Sequence, residues 1–96
     1  MEITKIENGE ELKVCLNGRL DTTTAADFEK YLSENFVNFK NLTIDCANLS
    51  YISSAGLRVM LSTQKKVKEG LKLINVCELV MEVFEMTGFC DVLTIE

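Results

Sequence analysis

The spacing between apolar residues changes period along this chain, and that change limits the possible folds more than any other feature. Leu12, Val14 and Leu16 recur at every second position, with Lys13, Cys15 and Asn17 between them. This is the period of a strand with one face buried. From Ala25 the spacing becomes three and four: Ala25, Phe28, Leu32 and Phe36 mark the buried stripe of a first helix. The alternation then repeats. Leu42 to Cys46 is a short apolar strand, and Leu57, Met60, Leu61 and Val67 stripe a second helix starting near Ala55. Leu71 to Val76 is a fourth strand. Leu79, Val80, Val83, Phe84 and Thr87 form the buried side of a third helix, and Val92 to Ile95 can add a last strand. Strands that alternate with helices predict an α/β domain with a mixed, mostly parallel sheet and right-handed crossovers. At the start, Asn8-Gly9 is a hairpin signal that makes Met1 to Glu7 antiparallel to its successor. We therefore expect one domain over residues 1–96, with an N-terminal hairpin strand and about three to four helices.

The element ends carry their own signals. Gly18 to Asp21 is expected to leave the sheet. Thr22, Thr23 and Thr24 offer N-caps, and Thr24 with Asp27 resembles a capping box with Asp replacing Glu. Asn38 to Asn41 should end the first helix and Gly70 the second, with Lys65, Lys66 and Lys68 complementing the dipole there. Asn75 and Glu78 form a weak capping pattern for the third helix, which Gly88 ends.

Composition removes several classes of function. A hydrophobic fraction of 47% without proline suits a packed core rather than a disordered tail. Net charge is −5 and the basic residues are dispersed, so no stripe is expected that would neutralise nucleic-acid phosphates. No apolar run approaches the ~20 residues that cross a bilayer. The first ten residues lack the basic start and apolar stretch of a signal peptide, so a cytoplasmic location is the expectation. The four cysteines form no CxxC pair and the chain has no histidine, so no zinc site is expected. Cys15 and Cys46 read as small apolar strand residues, kept reduced in the cytosol. Without histidine the usual Ser-His and Cys-His nucleophile pairs are missing. A Ser-Lys pair would have to span about three helical turns from Ser54 to Lys65. Neither GxxxxGK[ST] nor GxGxxG occurs. Asp45, with Asp21 as the obvious companion, could suggest a phospho-accepting aspartate, but a solvated turn carboxylate is the simpler reading. We expect no enzyme, no cofactor and no metal.

What remains is the corner where the third strand gives way to the second helix, Ser53-Ser54-Ala55-Gly56. A hydroxyl at a helix start can cap it by accepting a free backbone N–H. It can also accept a phosphate, since free N–H groups and the positive dipole end tolerate one there. Residues alone leave both readings of Ser54 open. Gly56 could admit a close partner or merely avoid crowding.

Three stretches extend the reading: N-G-R-L-D-T at Asn17 to Thr22, D-C-A-N-L-S-Y-I-S-S-A-G-L-R-V-M-L at Asp45 to Leu61, and V-F-E-M-T-G-F at Val83 to Phe89. Together they resemble the STAS domain of bacterial anti-sigma factor antagonists, over essentially the whole chain. The resemblance implies a partner switch. In that family the dephosphorylated antagonist binds an anti-sigma factor that is also a serine kinase, freeing a sigma factor. The kinase phosphorylates the serine before the small residue and glycine, and a serine phosphatase resets it. That serine is Ser54 here, ahead of Ser53, which stands where the family often has aspartate. The partner surface implied comprises Asp21, Thr22, Thr23, Ser53, Ser54, Ala55, Gly56 and Arg58, on a protein expected to be monomeric and to contact neither nucleic acid nor membrane. The alternative job within the family is as a subunit of a transport, lipid-trafficking or ligand-sensing complex, without phosphorylation.

Overall fold

The computed structural model describes residues 1–37, 39–67 and 70–96. Its strands β1 (Glu2–Asn8), β2 (Glu11–Leu20), β3 (Asn41–Ile52) and β4 (Leu71–Ile74) form one sheet in that order. The helices are α1 (Thr22–Asn35), α2 (Ser54–Val67) and α3 (Glu78–Thr87), with a 3-10 turn over Phe89–Asp91. The pair β1 and β2 is antiparallel, closed by Gly9 at φ +62°, a conformation that glycine adopts without strain. The pairs β2–β3 and β3–β4 are parallel. The predicted mixed α/β sheet is thus the observed one.

Register explains the core. Leu12, Leu42 and Leu71 lie in one row across three strands, and Val14, Ile44 and Leu73 in the next; all six are buried. The helices α1 and α2 lie against one another on the sheet, as the right-handed rule for crossovers that advance in the same direction would place them. There Phe28 and Leu32 of α1 and Leu57 and Met60 of α2 join these rows in a single core. The alternate positions Lys13, Cys15, Asp45, Lys72 and Ile74 are half-buried on the opposite side.

Several predicted ends move. The sheet does not lose the chain at Gly18: β2 runs on to Leu20. Likewise β3 continues six residues past Cys46. Asn48 and Ser50 read as turn residues because of their polarity, but two bulges accommodate them. Cys15 pairs with Asp45 and Asn17 with Asn48, then Gly18 with Leu49 and Arg19 with Tyr51, so β3 gains one residue on β2 at each step. At the second step the Ser50 hydroxyl donates to the Gly18 carbonyl (3.0 Å), and Gly18 takes φ +118°.

The cap of α1 is Asp21 rather than a threonine, and its box partner is Thr24, not Asp27. The helix ends at Asn35. Phe36 is its half-buried C-cap, with its ring stacked on Phe39 at 6.5 Å; Asn38 is outside the described residues. Lys65 and Lys66 do occupy the last turn of α2, while Lys68 is outside the described residues. The expected stop at Gly70 follows residues 68 and 69, which lie outside the described residues; a Cβ at Gly70 would sit 2.6 Å from the Lys40 carbonyl oxygen, so close backbone approach needs glycine there. The cap of α3 is Cys77, whose thiol donates to the Leu49 carbonyl (3.5 Å) rather than bonding the helix start, and Gly88 ends the helix at φ +78° as expected. Beyond it the predicted strand shrinks to one parallel bridge, Leu73 with Ile95.

Candidate functional site

Both helices that follow the central parallel strands start at the same edge. Leu20, the last residue of β2, pairs with Ile52, the last of β3, and the Ser53 N–H donates to the Leu20 carbonyl (2.9 Å). Asp21 and Ser53 therefore begin one strand spacing, ~4.8 Å, apart at their roots. The loop before α1 and the serine corner, far apart along the chain, become neighbours.

Ser53 is the N-cap of α2. Its Oγ accepts the Gly56 N–H (3.3 Å) and its carbonyl accepts the Leu57 N–H (2.9 Å). Ser54 is the first helical residue; it is exposed, and its hydroxyl bonds to no described residue. The two serines are thus distinguished by geometry: one hydroxyl is engaged in the helix start, the other is presented to solvent. The N–H groups of Ser54 and Ala55 belong to the first turn, where no helical carbonyl reaches them.

Gly56 faces inward. A Cβ there would meet Ile52 Cγ1 and Leu20 Cγ at 2.9 Å each, so this glycine lets the first turn of α2 pack on the ends of β2 and β3. Crowding within the protein, rather than approach from outside, accounts for it. Arg58 is exposed one turn from Ser54 and makes no ion pair with a described residue.

On the α1 side, Asp21 Oδ1 accepts the Thr23 and Thr24 N–H groups (3.0 Å each), and the Asp21 N–H donates to Thr24 Oγ1 (2.8 Å). The Thr24 N–H, foremost, holds the Asp21 carboxyl below the usual range, helped by the Thr24 hydroxyl, the Thr23 N–H and the Arg19 charge against a smaller effect of desolvation. Thr22 and Thr23 are exposed on this first turn. The sequence reading missed Arg19 and Tyr51, which lie opposite one another across β2 and β3. The guanidinium stacks 4.3 Å from the Tyr51 ring centroid, just before both helix starts. Only the bulged register, invisible in the sequence, brings them together.

Asp45 is neither a solvated turn residue nor a partner of Asp21. It sits within β3, accepts N–H bonds from Asn75 (3.1 Å) and Ala47 (3.0 Å), and pairs with Lys13 at 3.6 Å. Partial burial pushes its carboxyl up, but the Asn75 and Ala47 bonds and the Lys13 charge outweigh this and hold it below its ordinary value. Asn75, expected as a cap, takes φ +57° instead, its amide directed to Asp45. Among the described residues no helix is long and apolar enough to cross a membrane.

A small α/β domain whose exposed hydroxyl stands at a helix start has the build of a regulatory binding module. Comparison with known proteins makes this specific: the chain matches the STAS domain over residues 2–96 and belongs to that family. It is 33% identical over 96 residues to BtrV of Bordetella bronchiseptica, a protein assigned provisionally as an anti-sigma factor antagonist, covering 96% of this chain and 83% of that one. It is 30% identical over 92 residues to the anti-sigma-B factor antagonist of Bacillus subtilis, covering 93% and 84%. Its fold superposes on the anti-sigma factor antagonist SpoIIAA in its unphosphorylated form with a TM-score of 0.83 at 18% identity, over 99% of this chain and 88% of that one. For the phosphorylated form of SpoIIAA from Bacillus the TM-score is 0.75 at 17% identity, over 99% and 91%. STAS anti-sigma factor antagonists are regulatory binding proteins, not enzymes.

Proposed function

We propose that this protein is an anti-sigma factor antagonist that, dephosphorylated, binds an anti-sigma factor serine kinase, releases a sigma factor, and is switched off by phosphorylation at Ser54. The observation that carries the reading is the division of labour at the corner: Ser53 Oγ caps α2 while the Ser54 hydroxyl is exposed and unengaged by any described residue. The names of the two relatives support the antagonist role, and a protein of this fold exists in both unphosphorylated and phosphorylated forms.

The physics fits a switch of affinity rather than of shape. A phosphate adds about −1.5 to −2 charges. At the start of α2 the dipole favours it by only ~0.3–1 kcal/mol, so the fold stays as it is. Burying the same group against a partner without a cationic match costs several kcal/mol. At ~1.4 kcal/mol per decade, binding falls by about a hundredfold or more. The partner surface we assign is Asp21, Thr22, Thr23, Ser53, Ser54, Ala55 and Arg58, with Gly56 beneath it as packing.

The test is incubation with ATP and a candidate anti-sigma factor kinase, followed by intact mass and site mapping. One phosphate is expected on Ser54, none on Ser54→Ala, and one still on Ser53→Ala. Ser54→Asp should weaken kinase binding by about a hundredfold while Ser54→Ala binds as the parent does. Equal binding by both variants would refute the switch, as would a phosphate carried by Ser53.

A further inference from the structure

The helix α3 carries a surface away from the serine corner that the core uses only in part, through Val83. Its inner side, Val80 and Phe84, is fully buried. Outside, two stripes run side by side at the i, i+4, i+7 spacing of one helix face. One is acidic: Glu78, Glu82 and Glu85, all exposed and none in an ion pair with a described residue. The other is apolar: Leu79 is 55% exposed and Met86 86%, with Val83 half-buried between them. The sequence pattern assigned Leu79 to the buried side; the structure turns it outward.

Glu78, in the first turn, suits the positive end of the dipole, but the rest of this surface works against the isolated domain. Glu78 and Glu82 are like charges four apart, and Glu82 and Glu85 three apart, spacings at which like charges repel. Glu85 lies near the C-terminal, negative end of the dipole, and the last turn of α3 holds no basic residue. A methionine exposed over 86% of its surface buries little in the fold.

We propose that this face of α3 docks a cationic amphipathic helix of a partner protein, its apolar residues against Leu79, Val83 and Met86 and its lysines or arginines against the glutamate stripe. The two stripes supply the two halves of that recognition: a row of apolar anchors at helical spacing, and an adjacent row of carboxylates that selects the sign of the partner. An anionic membrane surface is repelled by the same carboxylates. A second copy of this chain would bring another net charge of −5. The proposal does not rest on phosphorylation of Ser54.

An NMR titration of the full 15N-labelled chain tests this. The probes are a leucine–lysine amphipathic helical peptide and its leucine–glutamate counterpart. The lysine peptide should shift the amides of Leu79, Glu82, Val83 and Met86 and bind more weakly as salt rises. Its affinity should drop about tenfold or more in Leu79→Ser/Met86→Ser and in Glu82→Lys. These are exposed substitutions, and an unchanged thermal transition shows that the fold is retained. The proposal is overturned if the lysine peptide does not bind, if its shifts centre elsewhere, if the variants bind equally, or if the glutamate peptide binds as well. Sedimentation of the free protein adds a further check: a dimer abolished by Leu79→Ser/Met86→Ser would give the face to a second copy instead.

Discussion

At Gly56 the absence of a side chain decides how two strands and a helix meet. Leu20 and Ile52 are both buried, and their branched carbons sit where a Cβ would go. In Gly56→Ala, helix propensity gains up to ~1 kcal/mol. Forcing a methyl into a filled core costs ~1–3 kcal/mol. The second term is expected to win, giving a net loss of about 1 kcal/mol in urea unfolding; a stabilised variant would show that Leu20 and Ile52 yield freely. The adjacent serines teach a related lesson. A pair of serines before a helix declares a cap but not which of the two supplies it. The last ladder bond, from the Ser53 N–H to Leu20, fixes Ser53 outside the helix and leaves Ser54 as its first residue.

At the scale of elements, β3 is where the chain was hardest to read. Its first half, Leu42 to Cys46, was legible because it is apolar. Its second half was not, because Asn48 and Ser50 are ordinary turn residues, and only the pairing of Asn48 with Asn17 and the Ser50 hydroxyl bond to Gly18 hold them against β2. The same strand holds Asp45, the carboxylate that ties β2, β3 and the chain after β4 together through Lys13 and Asn75. Its folded carboxyl titrates below the ordinary value of 3.8. The folded state therefore favours the ionised form. That stabilisation is present above about pH 4 and is lost as pH falls through the lower folded value. Asp45→Asn is expected to be about 1 kcal/mol less stable than the parent at neutral pH. Urea melts should show this gap narrowing toward pH 3; a constant gap would remove the ionised carboxylate as its cause.

Over the whole molecule, parallel order puts the starts of α1, α2 and α3 at the carboxyl ends of β2, β3 and β4, so the helix starts share one edge of the sheet. The helix-covered face of that sheet is closed to solvent. Burial foremost, then the neighbouring Asp45 and Cys77, pushes the Cys46 thiol up to about 12. Since the thiolate is the reactive form, Cys46 should resist alkylation near pH 8 while half-buried Cys15, Cys77 and Cys90 are modified. Mass spectrometry of timed samples should show Cys46 labelled only at the rate of global unfolding; faster labelling would reveal a local opening of β3. The sequence by itself determined the element types and their order as far as α3, the hairpin and the serine corner, because each follows from local periodicity and turn chemistry. Tertiary structure alone decided the length of β2 and β3, the Arg19–Tyr51 pair, the neighbouring caps Asp21 and Ser53, and the outward turn of Leu79. Each depends on which residues face one another across strands or layers, and spacing along one chain does not encode that register.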